Sequence, residues 1–185
     1  VRDAIVVDDH QRTSVDGVWA AGDCCDSLQR TTNERVYIAL GTVANRQARV
    51  AGVNIGGGDA VFPGVLGTAV TRICDTEIGR SGLTEREATA AGIAFRSARI
   101  ESTTRAGYYP GAAPITVKLL AEEGSGGLIG GQIVGGEGAA KRIDTVATAI
   151  WNSMTAEEVV NLDLSYAPPF SPVWDPVQTA ARQLV

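Results

Sequence analysis

The order of apolar runs and helix-period stretches along this chain changes at one place. Residues 3–9 (DAIVVDD) are a compact β-branched run that predicts a strand, and residues 12–16 (RTSVD) predict a turn. A second apolar run at 17–22 (GVWAAG) stops at Gly22-Asp23. From Tyr37 to Asn54, apolar and small residues recur at helical spacing through Leu40, Val43, Ala44, Gln47, Val50 and Ala51. The glycine triplet at 56–58 ends that helix, so 1–57 and 58–185 are expected to be separate domains.

Beyond the triplet the pattern is mostly that of strands. Residues 66–73 and 76–80 read as a strand pair, 93–103 as a strand, and 115–121 with 128–134 as a second pair across a Gly/Ser turn. Thr84 with Glu87, and Thr155 with Glu158, have the spacing of capping boxes, in which the threonine hydroxyl and the glutamate each satisfy a backbone amide of the first helical turn. The first of these helices should close at Gly92. Residues 138–152 place Ile143, Val146, Ala147 and Ile150 on one helix face, and a last short helix is expected at 176–183. The predicted class is α+β: part of an α/β domain, then an antiparallel sheet flanked by helices, with the helices expected on one side.

Composition narrows the functional classes. The 44% hydrophobic and 20% charged content is that of a globular protein. A net charge of -5 argues against a nucleic-acid partner, since binding phosphates calls for a basic face. No apolar run approaches the length of a membrane span, and the opening VRDAIVVDD carries no signal peptide and no Met, so a piece of a longer cytoplasmic protein is expected. Three cysteines, Cys24, Cys25 and Cys74, do not make a disulfide framework, and a lone histidine, His10, excludes a multi-His metal site.

The segment TSVDGVWAAGD at 13–23 is a strand ending in Gly-Asp. Glycine lets a ligand approach the backbone, and a carboxylate at a strand's C-terminal end can accept from a sugar-like hydroxyl. Taken alone, the pattern equally describes a strand followed by a tight turn. Thr13, Gly17, Val18, Trp19, Ala20, Ala21, Gly22 and Asp23 match in order the second FAD-binding motif of the pyridine nucleotide-disulfide oxidoreductases. The resemblance implies that Asp23, with Gly22, holds the ribityl and phosphate region of FAD. It also implies that the following helix, about residues 37–55, aims its N-terminus at the isoalloxazine, with Leu40, Gly41 and Thr42 nearest the ring. A helix N-terminus carries roughly +0.5 charge and favours an anionic reduced flavin.

Two further strings carry the resemblance through the second domain: RAGYYPGAAPITVKLL at 105–120 and DLSYAPPFSPVWDP at 163–176. The two tyrosines before Pro-Gly in the first could simply belong to a loop packed under aromatic rings; the second is a proline-stiffened loop presenting a phenol, whose prolines could serve only to lock an interface. Both resemble the dimerisation domain of the coenzyme A-disulfide reductase and NADH oxidase branch of that family. In the coenzyme A-disulfide reductases, two tyrosines reach the partner subunit's redox cysteine. The corresponding residues are Tyr108 or Tyr109, and Tyr166. The exposed aromatics Tyr108, Tyr109, Phe170 and Trp174 agree with a homodimer.

Absences sharpen the reading. No histidine follows His10, which removes the glutathione reductase and lipoamide dehydrogenase branch with its His-Pro-Thr acid–base motif. No Gly-x-Gly-x-x-Gly opens a βαβ unit, and the family's redox cysteine is missing. The expected whole protein uses FAD and NAD(P)H to reduce a disulfide or other small-molecule acceptor, whereas this chain by itself is expected to hold no cofactor and to be inactive. The alternatives are an NADH oxidase or peroxidase of the same family, or an inert dimerisation module. The vicinal Cys24 and Cys25 read as small packed residues, and His10 as a surface residue.

Overall fold

A computed structural model describes residues 4–185. It separates into two compact units, the first ending at Gly67 and the second spanning Thr68–Val185. The first unit thus extends past the glycine triplet, because residues 58–67 bond back onto it. The Asn54 side chain brackets Ala60, donating to its carbonyl at 2.8 Å and accepting from its amide at 2.7 Å. Phe62 N donates to Asp9 O at 2.7 Å and Val65 N to Leu28 O at 2.9 Å.

In the first unit, β1 (Ser27–Gln29) and β2 (Glu34–Val36) form an antiparallel pair, followed by α1 (Gly41–Ile55). Val43 and Val50 of α1 pack with Phe62 and Val65 in one small core, and Val7, Ala20 and Cys25 form another. The expected strands at 3–9 and 17–22 reduce to single bridges, Ile5 with Cys25 and Arg12 with Trp19; residue 3 lies outside the described residues. The Asp8 carboxylate accounts for the interruption. It accepts from the amides of His10 and Arg12 at 3.0 and 2.8 Å, which turns the chain where a ladder would have continued. The helix begins at Gly41 rather than near Tyr37, since Leu40 is extended at φ -135° and ψ 134°.

The second unit is built on five antiparallel strands: β3 (Ala69–Ile73), β4 (Thr76–Gly82), β5 (Phe95–Thr103), β6 (Pro114–Glu122) and β7 (Leu128–Gly135). Their order across the sheet is β3-β4-β7-β6-β5. Both capping boxes form, starting α2 (Glu85–Ala90) at Thr84 and α4 (Ala156–Val160) at Thr155. The expected helix at 138–152 is a short 3-10 turn, Ala140–Arg142, running into α3 (Ile143–Trp151). The last helix, α5 (Pro176–Ala181), is capped by Asp175, whose Oδ1 accepts from Val177 N at 2.8 Å.

The helices cover both faces of the sheet rather than one. Adjacent strand residues point to opposite faces. In β6, Leu120 packs with Ala88 of α2. Leu119, next to it, lies on the side where α3 approaches: a Cβ at Gly131 would sit 2.8 Å from Val146 and 2.9 Å from Leu119. Glycine at 131 is what lets α3 come down onto β7. Ile115, Val117, Leu119, Ile133, Ile143 and Val146 are essentially fully buried, and each contributes about 1.5–3 kcal/mol relative to exposure.

Candidate functional site

The first group of expected site residues meets where the Gly-Asp turn faces the start of α1. Gly22 adopts φ +88°, and a Cβ there would lie 3.4 Å from that of Ala44, one turn into the helix. Gln47, fully buried, ties the two together. Its Oε1 accepts from Gly22 N at 2.8 Å, and its Nε2 donates to Ser27 Oγ at 2.9 Å and Asp26 O at 3.2 Å. Sequence reasoning saw Gln47 only as a helix position; a glutamine on the buried stripe was the available signal.

Asp23, Gly41 and Thr42 are exposed, while Gly22 and Leu40 are half-buried. Asp23 makes no side-chain hydrogen bond among the described residues. No side chain caps α1, and its first intrahelical bond is Ala44 N to Leu40 O at 2.9 Å. The preceding amides are therefore open to a ligand, at the positive end of the helix dipole. An exposed carboxylate beside an uncapped helix start is a donor-and-acceptor set that fits one edge of a flavin.

The vicinal cysteines differ from each other. Cys25 is buried, its Sγ 3.4 Å from Gln47 Oε1, and burial pushes its thiol up to about 11. Cys24 is exposed, contrary to the expectation that both are packed. His10 is partly covered, its ring nitrogens 2.8 Å from Asp9 and 3.0 Å from Asp59.

The second group lies within the second unit. The loop after β5 carries Tyr108 and Tyr109, and the loop after α4 carries Tyr166. Ala106 N donates to Pro168 O at 3.2 Å, joining the two loops, and the hydroxyls of Tyr108 and Tyr166 stand 3.5 Å apart. Tyr108 and Tyr166 are exposed, at 76% and 46%. Their hydrogen bond holds the Tyr166 phenol above its ordinary range. Tyr109 turns instead into a cavity of about 590 Å³, shared with Arg105, Lys141, Arg142, Phe170 and Asp175.

Residues 68–176 match the pyridine nucleotide-disulphide oxidoreductase dimerisation domain, and residues 1–54 match the pyridine nucleotide-disulphide oxidoreductase domain. The chain belongs to this family. Among its relatives, the NAD(P)H coenzyme A polysulfide/persulfide reductase of Pyrococcus horikoshii is 44% identical over 181 residues, 98% of this chain and 40% of that protein. The NADH oxidase of Methanocaldococcus jannaschii is 43% identical over 179 residues, 97% of this chain and 40% of that protein. The structure of a NAD-dependent persulfide reductase from A. fulgidus superposes with TM-score 0.94 at 45% identity, covering 97% of this chain and 33% of that one. The chain thus spans about two-fifths of the length of the curated relatives. The sheet flanked by helices and the family resemblance are as expected from the sequence.

Proposed function

We propose that this chain is the C-terminal portion of an FAD-dependent NAD(P)H:disulfide oxidoreductase whose acceptor is a coenzyme A disulfide or a polysulfide. The observation that carries the reading is the 3.5 Å approach of the Tyr108 and Tyr166 hydroxyls, in a chain with no histidine after His10 to manage protons. The names of the relatives from P. horikoshii and A. fulgidus point the same way.

Bound flavin supplies the two-electron relay between NAD(P)H and a disulfide. Toward it, Asp23 would accept a hydroxyl of the ribityl region, and the open amides at Gly41 and Thr42 would favour negative charge on the ring. The second unit would work on the acceptor in a homodimer. When a thiolate attacks one sulfur of the acceptor disulfide, the S–S bond breaks and the departing sulfur carries the electron pair. Tyr108 would hold the neutral Tyr166 hydroxyl in place; Tyr166 would then donate its proton to that sulfur, and water would reprotonate the phenolate left behind. Exposed Tyr108, Phe170, Val173 and Trp174 supply an apolar surface suited to a second copy. By itself the chain would hold only one edge of the cofactor and should purify colourless. Among the described residues, no helix is long and apolar enough to cross a membrane.

The test is Tyr166→Phe in the full-length protein. Flavin reduction by NAD(P)H should stay normal, while turnover with coenzyme A disulfide or polysulfide falls by about 10²–10⁴-fold. Unchanged disulfide turnover together with undiminished dioxygen or peroxide reduction would favour the oxidase or peroxidase alternative.

A further inference from the structure

The loops that carry Tyr108 and Tyr166 share an anchor that no local sequence pattern announces. The Arg142 side chain, only 12% exposed, lies beneath both. Its Nη2 donates to Thr104 O at 2.7 Å, at the base of the Tyr108 loop, and to Phe170 O at 2.8 Å, in the Tyr166 loop. Its Nε pairs with Asp175 Oδ2 at 3.0 Å, and its Nη1 donates to Gly138 O at 3.2 Å. Asp175 is itself fixed, capping α5 and accepting from Ser171 Oγ at 3.4 Å. Thr104 is fixed too: its amide donates to Ala113 O at 2.8 Å, and its hydroxyl accepts from Ala113 N at 3.2 Å.

We propose that Arg142 is the positioning residue of the tyrosine pair, one guanidinium setting the separation of the Tyr108 and Tyr166 hydroxyls by holding the bases of both loops. The planar fork of arginine meets the Asp175 carboxylate through Nε, Gly138 O through Nη1 and the carbonyls of both loops through Nη2, all from one rigid group. A lysine ammonium is a single nitrogen: it keeps the positive charge but cannot stand both beside Asp175, where Nε is, and between Thr104 O and Phe170 O, where Nη2 is. Without the guanidinium, those two carbonyls lose a charged donor, and the Ala106–Pro168 bond and the tyrosine contact itself are left to hold the loops together. Arg142 does not touch an acceptor in this scheme; it acts through the two tyrosines. Its effect on turnover rests on the function proposed above, whereas its effect on the geometry of the pair does not.

The experiment uses the full-length protein with Arg142→Met, Arg142→Lys and Tyr166→Phe. The ultraviolet absorbance of phenolate is followed against pH, and flavin reduction and acceptor turnover are measured separately. In wild type one phenol should titrate above the ordinary range, and Tyr166→Phe should abolish that step and so assign it. In Arg142→Lys, and in Arg142→Met where it folds, the step should move down toward the ordinary range. Acceptor kcat should drop about 10²-fold, as expected when a reacting group is misplaced by about 1 Å, with flavin reduction unchanged. A folded Arg142→Lys protein whose raised phenol step is unmoved would overturn the proposal, whatever its turnover. So would loss of cooperative unfolding in both variants, which would make Arg142 a residue of the fold. If the phenol step moves but neither Arg142→Lys nor Tyr166→Phe changes acceptor turnover, the positioning role stands and the proposed use of the pair fails.

Discussion

Tyr108 and Tyr166 are 58 positions apart in the chain, and their hydroxyl oxygens lie 3.5 Å apart on the second unit. Tyr109, adjacent to Tyr108, has no part in that contact and lines the cavity behind it. The two neighbours, interchangeable in sequence, are therefore separable by titration. Tyr108→Phe should lower the raised Tyr166 step, because the Tyr108 hydrogen bond is the main cause of the shift. Tyr109→Phe should leave that step in place. The reverse result would assign the pairing to the wrong phenol.

The three thiols should separate into two classes. Cys24 and Cys74 are exposed, whereas Cys25 is buried. Burial, reinforced by Cys24 and Asp26, raises the Cys25 thiol from 9.0 to about 11. About 10²-fold less thiolate then exists near neutral pH, and the thiolate is the species that reacts. Under native conditions a maleimide should label two cysteines quickly, and the third only on unfolding. Rapid labelling of all three would contradict this packing.

Thr84→Ala should cost about 1 kcal/mol of stability in the second unit near neutral pH, as loss of a capping side chain does. The cost should depend on pH. Burial would raise the Glu87 carboxyl, but the Thr84 amide, the Thr84 hydroxyl and Arg80 outweigh it and hold it below its ordinary range. A group lowered on folding stabilises above its unfolded value, about 4.3 for glutamate, and that contribution is lost as pH falls through the folded value. The difference between wild type and variant should therefore narrow in acid. Urea unfolding at neutral and acid pH is the measurement, and a gap that widened in acid would reverse the sign argued here.

Gly130 marks the place where β7 passes closest to the segment leading into α2. A Cβ there would lie 1.9 Å from Leu83 O and 2.8 Å from its carbonyl carbon, both backbone atoms that cannot swing aside. Gly130→Ala should destabilise the second unit by about 3 kcal/mol or more, the upper range for overpacking. Gly124→Ala, with nothing near the added carbon, should be nearly neutral and serves as the control. Equal melting temperatures for the two variants would show that the strand can shift to make room.

Both capping boxes, the β3–β4 and β6–β7 pairings and the family to which Gly22-Asp23 and the tyrosine loops point were legible in the sequence. Each is written in residues close together or in uncommon strings. Thr84 and Glu87 lie within one helical turn, so their reciprocal bonds follow from spacing alone. Alternation along a strand likewise reports the burial of its own side chains. What the sequence left open depended on groups distant along the chain. The strand expected at residues 3–9 gave way to an Asp8-centred turn, because side-chain bonds compete with a ladder that, among the described residues, is the single bridge of Ile5 to Cys25. The helices expected on one side of the sheet cover both, since the pattern within a helix says which stripe is buried but not which face it meets. Gln47 and Arg142 show the same limit at the candidate sites. Gln47 bonds to Gly22, 25 residues earlier, and Arg142 to Thr104 and Phe170, 38 and 28 residues away. A hydrogen bond is set by distance and direction in space, and only the tertiary fold brings those acceptors within reach.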